Sequence, residues 1–174
     1  MWTLVKVPQS HCGFCGHAFL EPGYTRQLCA HCGRITYWNP LPVACIIVPV
    51  TDQRRKGLIV IRRGREPQQG ALALPGGFIE VGQTWQDAAS RELFEEASIE
   101  TRADDLRAFR VLSGLDDNTL LIFALAPPMS PRDLPTFRPN SEALERLILY
   151  QPTRLAFPLH VRVVEEYLKS ANND

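Results

Sequence analysis

Residues 74–99 read LPGGFIEVGQTWQDAASRELFEEASI, and the breaks and periodicities inside this stretch decide the architecture of the chain around it. Leu72, Ala73 and Leu74 form a short apolar strand that Pro75, Gly76 and Gly77 cut off, because proline withholds an amide and glycine has no side chain to pack. Phe78 and Ile79 resume that strand before a second break at Gly82. Thr84, followed three residues later by Asp87, has the form of a capping box, and Trp85, Ala89, Leu93 and Ala97 then recur on one face. The spacing predicts a helix that begins just beyond a glycine-rich loop.

Spacings of three and four place Glu92, Glu95 and Glu96 on adjacent rows of that helix, within about 5–6 Å of one another. Like charges so placed repel by roughly a few tenths of a kcal/mol per pair, which a solvated acidic face tolerates, and that is the ordinary reading of a glutamate run. Here the run faces whatever the Gly76–Gly77 loop binds, so hard oxygen ligands and backbone amides meet in one place. Oxygen clusters of this kind hold magnesium or manganese, and such ions hold phosphates.

Outward from the helix the chain reads as strands. An apolar strand is expected over residues 41–50, and a second over residues 57–61 after the polar turn at 52–56, together a hairpin. Further strands are expected at residues 107–112, 119–126 and 146–150. Proline at 127, 128, 131, 135 and 139 marks one long irregular connection. A last amphipathic helix starts near Pro158 with Val161, Val164 and Leu168 on its buried side. Arg62, Arg63 and Arg65 form a basic cluster before the glycine loop, suited to phosphate oxygens or else simply solvated. Phe78, Tyr37 and Trp38 could stack on a base, although packing is the commoner role.

Residues 77–99 resemble the Nudix box, a pattern of glycine, five residues, glutamate, seven residues and then Arg-Glu-apolar-x-Glu-Glu-x-Gly-apolar. The lead-in at 74–77 and Arg63 upstream are similar to that family's approach to its box. The resemblance implies an α/β fold, an α/β/α sandwich with a mixed sheet over residues 41–172, and hydrolysis of the pyrophosphate bond in a nucleoside diphosphate derivative such as ADP-ribose, FAD or NADH. It makes Glu92 and Glu96 the principal ligands of catalytic magnesium or manganese, with Glu95 as a further ligand or proton acceptor. Arg91 would orient a glutamate through a bidentate pair. Gly76 and Gly77 would add a carbonyl ligand or a close approach to substrate, and Arg63, Arg65 and Phe78 would bind it. A glutamate beyond the box completes the metal site in such proteins, which nominates Glu142 and, less firmly, Glu145. Two departures stand out: Gln83 occupies the position of the box's first glutamate, which lowers the expected metal affinity, and Ser98 occupies that of its last glycine, at a cost on the order of 1 kcal/mol at a left-handed helix end.

Four of the five cysteines form two x-x spaced pairs, Cys12 with Cys15 and Cys29 with Cys32, each followed by a glycine, Gly16 and Gly33. Four converging thiolates suit a structural tetrahedral zinc, against the rival readings of two disulfides or a redox pair. Such a closed site leaves no position for water, so it would fold the segment and catalyse nothing. Cys45 reads as a buried strand residue, and His11, His17 and His31 as surface neighbours of the cysteines. A zinc ribbon at 1–38 ahead of a hydrolase domain at 39–174 narrows the resemblance to NADH pyrophosphatase-like and ADP-ribose or FAD pyrophosphatase proteins, with residues 37–40 as the joint. NADH pyrophosphatases carry a Ser-Gln-Pro-Trp type signature after the box, where residues 111–117 here read VLSGLDD, so NADH specificity is not assigned.

Composition sets the outer limits. Of the 174 residues, 45% are hydrophobic and 22% charged, the balance of a globular protein. Nineteen Lys and Arg offset nineteen Asp and Glu, so no global positive field draws the chain to nucleic acid or membrane. The longest apolar run, 43–50, contains Pro49 and is far short of the roughly 20 residues that span a bilayer. The expected setting is the cytoplasm, with a small nucleotide as partner, no membrane, and a homodimer as the resemblance implies. Two other functions compete. One is a nucleotide-binding or regulatory module whose catalysis Gln83 has blunted. The other is a ribbon that binds nucleic acid, ranked last because residues 1–38 set only Lys6, Arg26 and Arg34 against Glu21.

Overall fold

Two three-residue strands, β1 (Arg26–Leu28) and β2 (Ile35–Tyr37), pair antiparallel in a computed structural model that describes residues 10–21, 25–53, 55–115 and 118–171. They belong to the smaller of two units, Met1–Pro40 and Leu41–Asp174. Among the described residues of the smaller unit only Cys12, Gln27, Cys29 and Thr36 are buried, and Leu20 and Leu28 face outward. Apolar burial therefore contributes little to its stability.

The larger unit contains β3 (Leu41–Ile47), β4 (Pro49–Asp52), β5 (Arg55–Arg63), β6 (Leu72–Ala73), β7 (Gly76–Phe78), α1 (Trp85–Ala97), β8 (Arg107–Ser113), β9 (Thr119–Leu125), β10 (Ala143–Leu149) and α2 (Pro158–Ala171). One sheet is mixed, in the order β7-β3-β9-β8, with β3 and β9 parallel. The other is antiparallel, in the order β10-β5-β4, with β6 also on β5. Alternation along β3 divides the core: Ala44, Ile46 and Val48 pack with Ala88, Ala89, Leu93 and Ala97 of α1, while Cys45 and Ile47 pack with Val163, Val164 and Leu168 of α2. One helix thus covers each side, as the α/β/α expectation requires.

The structure corrects several boundaries. Residues 41–50 are two strands, since Pro49 cannot continue the ladder of β3 and β4 crosses to the other sheet to pair with β5. Residues 76–78 do not resume the strand at 72–73; they leave it for β3 of the mixed sheet. β10 begins at Ala143, three residues before the expected start. In α2 the fully buried row is His160, Val163, Val164 and Leu168, with Val161 only partly covered. The proline-rich connection includes a 3-10 turn, Pro131–Asp133, and is tied to β4 by the hydrogen bonds Met129 N to Pro49 O and Thr51 N to Met129 O, both 2.9 Å. Among the described residues no helix is long and apolar enough to cross a membrane.

Both ends of α1 are closed by specific groups. At the N-terminus Thr84 Oγ1 accepts from Asp87 N at 3.1 Å and Asp87 Oδ2 accepts from Thr84 N at 3.2 Å, the reciprocal box expected from sequence. At the C-terminus Ser98 sits in the left-handed region, φ 56° and ψ 33°, with its amide bonded to Phe94 O. No basic residue lies in the last turn; Arg146 of β10 instead donates to Ala97 O at 2.7 Å and to Pro135 O at 2.5 Å.

Candidate active site

Glu92 and Glu96 lie one helical turn apart, and both are buried, at 6% and 3% exposure, although they are charged residues on an amphipathic helix. Burial occurs because β7 runs beside this face. Gly76 is flush with β3, where a Cβ would fall 2.4 Å from Ala44 O, and Gly77 is flush with α1, where a Cβ would fall 2.2 Å from Glu92 Oε1. The Gly76 amide donates to Glu96 Oε2 at 2.8 Å. The sequence reading gave the glycines a carbonyl ligand or a close approach; the structure supplies the close approach and an amide donor.

Glu142 brings a third carboxylate from the far end of the larger unit. One oxygen of each of Glu92, Glu96 and Glu142 lies within 4.8 Å of the others, a group able to hold a metal ion. Its place is fixed by the end of the β5–β10 ladder: Ala143 pairs with Arg63, and Gly64 N donates to Glu142 O at 2.7 Å. Asn140 then locks the turn, its Oδ1 accepting from Glu142 N at 2.8 Å and Ala143 N at 2.9 Å while its Nδ2 donates to Glu95 O at 2.7 Å. Sequence reasoning missed Asn140, although an asparagine after Pro139 and before Ser141 and Glu142 is the signal of an Asx turn.

The remaining expected site residues divide into those beside this group and those engaged elsewhere. Glu95 is half exposed and lies outside the three-carboxylate group. Arg91 donates to Glu92 Oε1 at 2.8 Å, Glu95 Oε2 at 2.9 Å and Phe78 O at 3.1 Å, so it orients one carboxylate and bridges α1 to β7. Gln83 Oε1 accepts from Glu80 N at 3.1 Å and faces Arg91 at 3.5 Å, so the missing negative charge is felt first by Arg91. Arg65 pairs with Glu142. Arg63 donates to Pro67 O and stacks over the Phe157 ring at 5.1 Å. Arg62 and Glu145 pair with each other at 2.8 Å, which commits Glu145 away from the carboxylate group. Phe78 is exposed on β7, and Tyr37 and Trp38 are exposed at the end of β2.

Burial beside other carboxylates raises the proton affinity of Glu92 and Glu96. Burial is the main cause at Glu96, which rises from 4.5 to about 7 despite the Gly76 amide, with Glu92 and Glu142 adding repulsion. Burial also raises Glu92, against the pull of Arg91. A divalent cation relieves both penalties at once, and the all-oxygen donor set suits magnesium or manganese.

In the smaller unit the four cysteine sulfurs also lie within 4.8 Å of one another. Cys12 Sγ to Cys32 Sγ and Cys15 Sγ to Cys29 Sγ are both 3.7 Å. That is far beyond the roughly 2.05 Å of a disulfide. It matches the edge of about 3.8 Å that Zn–S bonds of about 2.3 Å give a tetrahedron. The two halves repeat one turn: Gly16 N donates to Cys12 O and Gly33 N to Cys29 O, each at 2.9 Å, with both glycines at φ +71°. A hydrogen bond from the Phe14 amide, helped by Thr36, pulls the Cys12 thiol down, while, against a His17 backbone hydrogen bond, burial and the neighbouring sulfurs push the Cys15 thiol up.

A family model described as NUDIX domain matches residues 40–147. The NAD-capped RNA hydrolase NudC of Edwardsiella ictaluri is 39% identical over 103 residues, 57% of this chain and 38% of that protein. The NAD-capped RNA hydrolase NudC of Salmonella typhi is 37% identical over the same shares. The aligned part of this chain thus spans about two fifths of the curated relatives it matches. Among solved structures, a NUDIX hydrolase from Nitrosomonas europaea superposes with a TM-score of 0.71 at 23% identity, covering 94% of this chain and 93% of that one. The NUDIX domain of Shewanella oneidensis NrtR complexed with ADP ribose superposes at 0.63 and 15% identity, covering 76% and 88%. These likenesses show a shared fold.

Proposed function

Because this chain belongs to the NUDIX domain family, we propose that it is a divalent-metal-dependent pyrophosphohydrolase that splits a nucleoside diphosphate joined to a second group into two phosphorylated products. The observation that carries the reading is the convergence of the buried Glu92 and Glu96 with the partly exposed Glu142, one oxygen of each within 4.8 Å of the others. When bound there, magnesium or manganese supplies charge neutralisation at the diphosphate and a lowered pKa for an attacking water. Glu92 and Glu96 hold the ion from the helix and Glu142 from the start of β10. Arg91 keeps Glu92 turned inward and the Gly76 amide does the same for Glu96. Arg63 and Arg65 offer guanidinium groups to phosphate oxygens, and a carboxylate of the cluster receives the proton of the attacking water. Phe78 offers an exposed ring for a base. Since no covalent bond to the protein forms, placement and charge stabilisation provide most of the acceleration.

In the smaller unit Cys12, Cys15, Cys29 and Cys32 hold a structural zinc, and the functional form is a homodimer, measurable by light scattering. The substrate class includes ADP-ribose, FAD and NADH. The relatives named NAD-capped RNA hydrolase add to the panel an RNA whose 5′ end carries the same kind of diphosphate bridge. The test incubates the protein with these substrates and with dinucleoside polyphosphates in magnesium or manganese and follows mononucleotide release. Turnover that disappears in Glu92→Gln and Glu96→Gln is the expected result; metal-dependent binding of nucleotide without turnover across the whole panel overturns the reading.

A further inference from the structure

His160 of α2 is 4% exposed and uses both of its ring nitrogens. The Leu74 amide donates to Nδ1 at 3.2 Å, and Nε2 lies 3.5 Å from Cys45 Sγ. An acceptor at Nδ1 places the ring proton on Nε2, where it points at the sulfur. Phe123 and Phe157 meet the ring edge-on at 5.7 and 5.0 Å and fix its plane. Burial draws the imidazole down to about 3 and holds the Cys45 thiol up at about 12, so both stay neutral.

The two groups that this ring grips flank the glycine turn. Cys45 is the β3 residue paired with Gly76, and its Cα would stand 2.8 Å from a Cβ there. Leu74 opens the turn, and Pro75 O, the next carbonyl, accepts from Ile46 N at 2.8 Å. Gly76 then donates to Glu96, and Gly77 abuts Glu92. The position of Leu74 therefore sets where the Gly76 amide lies.

We propose that His160 is a positioning residue for the carboxylate site, its Nδ1 holding the Leu74 amide in place so that the Gly76 amide meets Glu96, while the Nε2 contact with Cys45 contributes to stability alone. This rests on the functional reading only in taking Glu92, Glu96 and Glu142 as the metal site. Asparagine and glutamine separate the role from plain packing, because an asparagine amide oxygen stands near the position of Nδ1, whereas a glutamine amide reaches the position of Nε2. In the full chain, His160→Asn and His160→Gln are compared for thermal midpoint, Gly76 amide hydrogen exchange and manganese dissociation constant by spin resonance. The expected result is that both lose stability to a similar degree, that His160→Asn keeps the Gly76 protection and binds manganese within about threefold of the parent, and that His160→Gln exchanges Gly76 faster and binds manganese about tenfold more weakly. Equal manganese affinity in all three proteins, or an equal loss in both variants, overturns the proposal.

A measurement on the unmodified chain keeps the question decidable if neither variant folds. Nitrogen shifts of the His160 ring are expected to report the Nε2-protonated tautomer unchanged from pH 5 to 8. A proton on Nδ1, or a charged ring, overturns the contact on which the proposal stands. Failure of the parent protein to bind manganese at all removes the functional reading alone, and the Gly76 exchange rates of the two variants then decide the role of His160.

Discussion

Glu96 carries the clearest consequence of burial. Its carboxyl binds a proton more tightly in the folded chain, at about 7, than at its ordinary 4.5. In protein freed of divalent cation, its favourable contribution is complete below pH 4.5 and disappears as pH rises through 7, a span of roughly 3 kcal/mol. The thermal midpoint of the metal-free protein is expected to fall between pH 5 and 8, to recover at pH 8 on adding manganese, and to lose most of this slope in Glu96→Gln; calorimetry across pH checks it. Gly77→Ala drives a methyl into the Glu92 carboxylate. Manganese affinity is expected to drop at least about tenfold with little change in midpoint, because a side-chain end rather than backbone must move. Arg65 gives a prediction of opposite signs in two measurements. Its guanidinium pairs with Glu142, where it would compete with a cation, while the proposed function gives it a substrate phosphate. Arg65→Ala is expected to bind manganese more tightly while raising KM, as titration and steady-state kinetics will read. At this scale the sequence exposed Glu92, Glu96 and Glu142 through the box and its downstream partner. The roles of Gln83, Glu145 and Asn140 were hidden, since each depends on which neighbour the folded chain brings within hydrogen-bond reach.

At the scale of elements, α1 shows what local sequence carries and what it does not. Its start was legible because Thr84 and Asp87 act on each other three residues apart. Its end is legible only through the resemblance, which sets Ser98 at a left-handed helix end, while the groups that close it come from much later in the chain: Arg146 caps Ala97, Asn140 bonds to Glu95 O, and the Arg138 amide donates to Ser98 Oγ at 3.1 Å. The serine was expected to be a plain loss relative to glycine. Its hydroxyl bond offsets part of the left-handed strain, so Ser98→Gly is expected to change stability by no more than about 0.5 kcal/mol in chemical denaturation. Arg146→Met is expected to cost about 1–2 kcal/mol by the same measurement, through two carbonyls left without their charged donor. Strand boundaries suffered likewise. The apolar run at 41–50 reads as one strand, and 78–79 reads as a resumption of the strand at 72–74; only the partner chosen by each half, β3 against β4 and β6 against β7, divides them.

The two units differ in what replaces water. In Leu41–Asp174 the side chains of β3 alternate between two cores, each roofed by a helix, an arrangement that the family resemblance implies. In Met1–Pro40 almost nothing apolar is buried among the described residues, and the four sulfurs sit at the spacing of a tetrahedral site. Removing zinc with a strong chelator is expected to unfold that unit, seen as protease cleavage within residues 10–40 and as four newly titratable thiols, and returning zinc is expected to reverse both.

β10 stands at the outer edge of its sheet, and the bond from Gly64 to Glu142 is where its ladder begins. An edge strand opens first at its ends, and Glu142, the third oxygen donor, immediately precedes the first residue of this one. The lifetime of a captured cation is therefore tied to the opening of a single strand tip rather than to unfolding of the domain.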